Sequence, residues 1–175
     1  VDVNENNITI AVFKNGVLVE VIRIETGLGK IVIAYAVRRK RISKGKSTKT
    51  REVKKKLKTL REGDRKKDIL YKVARFIEEL AKENNAVVVV GDIGGDDKER
   101  MSEDKGRKLR HRIHQWSVAT LIKLLEDRPV HVVRISERGS SSVDPFTKKR
   151  IEGYSPLVIR TAVRGAKGRF KVVKV

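Results

Sequence analysis

The chain opens with short apolar runs separated by turn chemistry, a pattern that predicts strands. Val1-Asp2-Val3 is a stub with an acid between two valines. Asn4-Glu5-Asn6-Asn7 follows as a turn, since asparagine side chains bond readily to nearby backbone. Ile8 to Phe13 is β-branched and apolar, and Val17 to Ile24 alternates in the same register. Between them, Asn15-Gly16 predicts a type I′ hairpin turn, because both central residues must tolerate positive φ. The first 25 residues therefore read as a three-stranded antiparallel meander.

The spacing then changes to helical. Leu28 to Ile42 predicts a helix that Gly45 ends. A second, basic helix runs to about Leu60, with Ser47, Thr48 or Thr50 as its cap. Gly63 breaks again, and Asp64 is the expected cap of a third helix reaching Asn84. Its apolar face is Ile69, Val73, Phe76, Ile77 and Leu80. Ala86 to Val90 is a continuous apolar run, the pattern of a strand buried on both faces in a parallel sheet. It delivers Gly91-Asp92-Ile93-Gly94-Gly95, after which an acidic loop is expected as far as Gly106. One helix over about 107–126 follows, with Trp116, Val118, Leu121, Ile122 and Leu125 buried. A strand over Val130 to Ile135 comes next, then loop chemistry to Pro156. Leu157 to Arg164 and Arg169 to Val175 read as a final hairpin around Gly165–Gly168. The order predicts an α/β protein with a mixed sheet and flanking helices, in one domain over 1–175. Residues 28–62 form a basic helical insert within it.

Charge sharpens this picture. The chain has 42 Lys and Arg against 22 Asp and Glu, a net charge of +20. From Arg38 to Lys67 there are 16 basic residues and three acids, so this stretch supplies +13. A solvated ion-pair face mixes signs, and this one does not. Phosphate polyanions are the natural partner, since each neutralised phosphate releases condensed counterions. Arg38, Arg39, Lys40, Arg41, Lys54, Lys55 and Lys56 are the expected phosphate contacts. With no cysteine there is neither a disulfide nor a thiolate zinc site. No apolar run reaches the length of a membrane span and no signal peptide opens the chain, so a cytoplasmic, prokaryotic protein is expected.

Two acids stand where strand chemistry makes them candidates for catalysis. Asp2 lies inside the first strand, and Asp92 follows the strongest one. Carboxylates at neighbouring strand ends suit Mg²⁺ or Mn²⁺, hard cations that take oxygen ligands. Paired ions at about 3.5–4 Å promote phosphodiester hydrolysis. Against this, Asp2 also fits a turn-capping role before Asn4, and Asp92 an Asx-turn among glycines. His111 and His114 share a helix at i, i+3, either as metal ligands or, beside Arg110 and Arg112, as part of a basic face. Trp116 fits the core better than base stacking. The glycines after Val90 are no phosphate loop, because no Lys-Ser/Thr follows them.

Four segments carry a resemblance: VDVNENN, DRKKDILYKVARFIEELAKENNAVVVVGDI, RHRIHQWSVATLIKLLED and RPVHVVRISERGSSSVDPF. In this order they resemble TnpB (OrfB) proteins, RuvC-fold relatives of the type V CRISPR effector nucleases. The resemblance implies an RNase H-like (RuvC-type) fold and RNA-guided DNA cleavage linked to a mobile element. It further implies DNA and guide RNA as partners and Mg²⁺ or Mn²⁺ held by Asp2 and Asp92. Asp2 matches the family's first acid. In the most direct register the family's glutamate falls on Gly91, with Asp92 one residue later. A strand-end bulge would bring Asp92 into the functional place. Ser140-Ser141-Ser142-Val143-Asp144-Pro145 stands where the family opens a zinc ribbon, and 137–175 lacks its cysteines, so no zinc is expected. Asp144 is a substitute third acid or, in an Asp-Pro pair, a turn residue. The family's third-acid motif does not precede Val175, so a truncated piece is expected. A non-catalytic nucleic-acid-binding module on the same fold is the alternative.

Overall fold

The computed structural model describes residues 1–45, 50–92, 95–114, 117–136 and 169–174. The meander forms as its pattern predicts. β1 (Asp2–Val3), β2 (Asn7–Lys14) and β3 (Val17–Glu25) are antiparallel neighbours. Asn15 and Gly16 both take positive φ, 51° and 76°, as their turn requires. One bulge, between Val12 and Phe13, shifts the register near that turn. Ile8, Ile10, Ile22 and Ile24 alternate inward and are buried, so the period-2 pattern selects the core face of this sheet.

α1 (Leu28–Ile42), α2 (Arg51–Lys58) and α3 (Glu62–Glu83) follow. Thr50 is the N-cap residue of α2. The start of α3 differs from expectation. Arg61, in a left-handed conformation at φ 52°, holds the N-cap position, while Gly63 and Asp64 lie in the first turn. Asp64 there opposes the positive end of the helix dipole without capping it. The far end closes in a Schellman motif: Asn85 is left-handed at φ 47°, its N–H donates to the Lys82 carbonyl, and the Ala86 N–H donates to that of Ala81. The buried face of α3 is Leu70, Val73, Ala74, Ile77 and Ala81, with Ile69, Phe76 and Leu80 on its margin.

β4 (Val88–Asp92) pairs in parallel with β5 (Val132–Ser136). β4 is not covered along both faces: Val88 and Val90 are buried, whereas Val89 and the preceding Val87 are exposed, as are Val133 and Ile135 of β5. The unbroken valine run concealed this, because valine satisfies either face. The expected acidic loop contains a helix, α4 (Gly95–Ser102), and the single helix expected over 107–126 is two, α5 (Arg107–His114) and α6 (Val118–Glu126). Val118, Leu121, Ile122 and Leu125 of α6 are buried as expected, and α6 packs on α3. Trp116 lies outside the described residues.

β6 (Arg169–Lys174) joins β3 in parallel, giving the order β1-β2-β3-β6. The other arm of the expected hairpin, 157–164, lies outside the described residues. On its free side β1 meets β4, where the Val1 amino group donates to the Val89 carbonyl at 2.6 Å. The apolar core fills the space between α3, α6 and the inner faces of the strands. Two ion pairs fasten this packing. Arg128, after α6, bonds Glu78 of α3 at 2.5 Å. Arg134 of β5 grips Glu126 with two nitrogens at 2.7 Å each.

Candidate nucleic-acid interface and strand-end acids

α2 is eight residues long and anchored by one buried side chain, Val53, with Leu57 half-buried beside it. Everything else on it meets water. Arg51, Lys54, Lys55 and Lys58 stand at i, i+3, i+4 and i+7, so they share a sector of about 100°. None of the four has a carboxylate partner among the described residues. Lys56 projects from another side and pairs with Glu52 at 3.0 Å. Of the expected contacts on this helix, Lys54 and Lys55 therefore belong to the cationic face and Lys56 does not. Arg51 and Lys58 belong to it and were missed, although helical spacing alone would have found them.

α1 divides its cations by the same geometry. Leu28, Val32 and Tyr35 face inward, and α1 packs on both α2 and α3. Arg39 lies along this inner side and forms a salt bridge with Glu62 of α3. Its role is to join two helices. Lys66 sits close by, and its pKa is lowered by burial and then by the Arg39 charge. Arg38 lies over the Tyr35 ring, 5.0 Å from its centre, with its charge outward. Lys40 and Arg41 are exposed. The outward cations of α1 and the face of α2 belong to helices in mutual contact, so the basic stretch yields a local concentration of positive charge.

α5 adds exposed Arg107 and Arg110. His114 turns its Nε2 to the buried Ser102 Oγ at 3.3 Å, linking α5 to α4. The His111 side chain, Asp144 and the 140–145 serine stretch lie outside the described residues.

Asp2 is half-buried on β1, cross-strand from Thr9, and its Oδ2 accepts a bond from Asn4 Nδ2 at 2.9 Å. The turn role of Asp2 thus has a bond behind it. Asp92 is the last residue of β4, paired with Ser136, and Gly91 pairs with Ile135 without a bulge. The bulge that would move Asp92 into the glutamate register of the resembled family is not formed. β1 and β4 are nevertheless adjacent, so both acids belong to neighbouring strands. Among the described residues, no three His, Asp or Glu groups converge as metal ligands. One partly engaged carboxylate at Asp2 does not by itself fit a divalent cation. No described helix is long and apolar enough to cross a membrane. No protein-family model matches the chain, and no curated protein or solved structure matches it.

Proposed function

We propose that the chain binds nucleic acid through α1 and α2, on a scaffold of RNase H-like (RuvC-type) kind related to the TnpB proteins. The observation carrying the binding reading is the α2 face: four cations in one sector, without acid partners among the described residues, on a helix with one buried side chain, Val53. Such a face costs stability, because like charges one turn apart repel by about 0.2–0.5 kcal/mol per pair. A polyanion converts that cost into attraction. The scaffold reading is supported by the strand arrangement: an antiparallel β3-β2-β1, β1 against β4, and β4 parallel to β5. Fluorescence anisotropy with labelled DNA and RNA over a salt series tests the binding. Affinity independent of salt would overturn it.

A second reading makes the chain an RNA-guided, Mg²⁺- or Mn²⁺-dependent DNA endonuclease using Asp2 and Asp92. What favours it is the placement of both acids on adjoining strands. What opposes it is the regular pairing through Gly91 and the engagement of Asp2 by Asn4. Nicking of plasmid DNA with Mg²⁺ or Mn²⁺ decides. Loss of nicking in Asp2→Ala and Asp92→Ala supports the endonuclease. Nicking unchanged in both assigns it to a contaminant.

A further inference from the structure

α3 carries an aromatic corner that the basic arm does not use. Three cations on its outer surface are neutralised one turn away: Lys72 by Asp68, Arg75 by Glu79, and Lys82 by Glu78. Lys67 differs. Among the described residues it has no carboxylate partner, and its ammonium lies 5.8 Å from the centre of the Tyr71 ring. The Arg128 guanidinium lies 5.8 Å from the same ring and is fixed there by Glu78. Tyr71 is 47% exposed on α3.

An exposed aromatic with two cations near its ring has a specific use. The exposed part of the ring offers a flat surface to an unpaired base, Arg128 with its Glu78 partner holds the ring from behind, and Lys67 is the cation left to meet a flanking phosphate. A paired base is already stacked on its neighbours and has no face to offer. We propose that Tyr71, Lys67 and Arg128 form a stacking site for one unpaired base of single-stranded nucleic acid. The site is distinct from the α1–α2 face. Glu62, which meets α1, and Tyr71 are nine residues apart on α3, about 180° around the helix. A strand bound at both must pass around α3, so the two contacts are separable by mutation. The inference rests on the nucleic-acid reading above but adds a ligand class and a second place.

The test compares an oligothymidylate of about 20 nucleotides with a duplex of equal length, by anisotropy. Tyr71→Ala is expected to weaken oligothymidylate binding about 5- to 150-fold, with duplex binding unchanged. The slope of log K against log salt stays constant, because no charge is lost. Tyr71→Phe retains affinity within about twofold, since the ring and not the hydroxyl stacks. In Tyr71→Trp, the emission added to that of the parent, whose own indole is Trp116, is quenched by the oligothymidylate and not by the duplex. Equal loss for single strand and duplex overturns the site, as does Tyr71→Phe behaving like Tyr71→Ala, or an unquenched Tyr71→Trp. Wild-type protein that binds neither probe overturns the nucleic-acid reading itself. Wild-type binding that Tyr71→Ala leaves intact overturns this inference alone.

Discussion

Replacing Lys54, Lys55 and Lys58 together by alanine separates a binding surface from a merely solvated one. The three side chains are exposed and without acid partners among the described residues, and with Arg51 they occupy one sector of α2. If each neutralises one phosphate of a duplex, the slope of log K against log salt falls by about 0.9 per lysine, or roughly 2.7 in all. Referred to 1 M salt, that slope gives a loss of about 2.2 log units at roughly 0.15 M. This is about 160-fold, or about 3 kcal/mol. The fold should not suffer. Lys54–Lys58 and Arg51–Lys55 are like-charge pairs one turn apart, so the substitution relieves about 0.4–1 kcal/mol of repulsion. The variant is expected to melt no lower than the parent while binding far more weakly. Lys56→Ala, on another side of the helix and paired with Glu52, serves as the internal control and leaves the slope nearly unchanged. Titration of a labelled duplex at four or more salt concentrations reads all of this. A triple variant with the parental slope, or a Lys56 variant as weak as the triple, refutes the assigned face.

Other outcomes follow from the packing. Leu121→Ala empties a fully buried position between α6 and the sheet and should cost about 2–5 kcal/mol, read as a lower denaturant midpoint at constant m. Val53→Ala removes the one buried anchor of α2, so trypsin should cut within 51–60 sooner while the global melting temperature changes little. Glu78 is held below the usual carboxylate range by hydrogen bonds from Lys82 and then Arg128. A depressed carboxylate stabilises the fold above its unfolded pKa, and this is lost as pH falls through the folded one. Thermal melts below the ordinary carboxylate range should therefore show a decline that Glu78→Gln flattens. An identical acid limb in the two proteins refutes the coupling. Arg39→Ala should lower stability by about 1 kcal/mol through the lost Glu62 bridge while sparing the salt slope, the reverse of the α2 variants.

Much of the architecture was legible in order. The meander and α1 followed from local rules of period-2 alternation, Asn-Gly chemistry and helical spacing, while for α2 the choice among Ser47, Thr48 and Thr50 stayed open and Thr50 takes the N-cap position without a side-chain cap bond. The errors share a cause. A valine run satisfies a strand covered on one face or on both, so β4 read as buried throughout although Val87 and Val89 meet solvent. Gly63 read as a breaker because propensity ignores a first turn, where glycine costs little. α4 was mistaken for a loop because its acids and glycines carry no apolar period. In the candidate interface, the bulk charge singled out a segment but not how its faces divide between paired and unpaired cations. Arg39 and Lys56 counted as phosphate contacts until their partners Glu62 and Glu52 could be seen.

The sequence by itself determined that this chain is a polycation with strands before helices, that Val118, Leu121, Ile122 and Leu125 go inward, and that Asp2 lies in a strand and Asp92 at the end of one. These are properties of composition and of period, which the backbone enforces residue by residue. Only the tertiary structure decided that β1 lies against β4, that β6 takes β3 as its partner, and which cations are neutralised within the protein. Such choices depend on contacts between residues far apart in the chain. Arg128 reaches Glu78 and Tyr71 across 50 and more positions. No local pattern encodes that distance; the packing of α3 on α6 does.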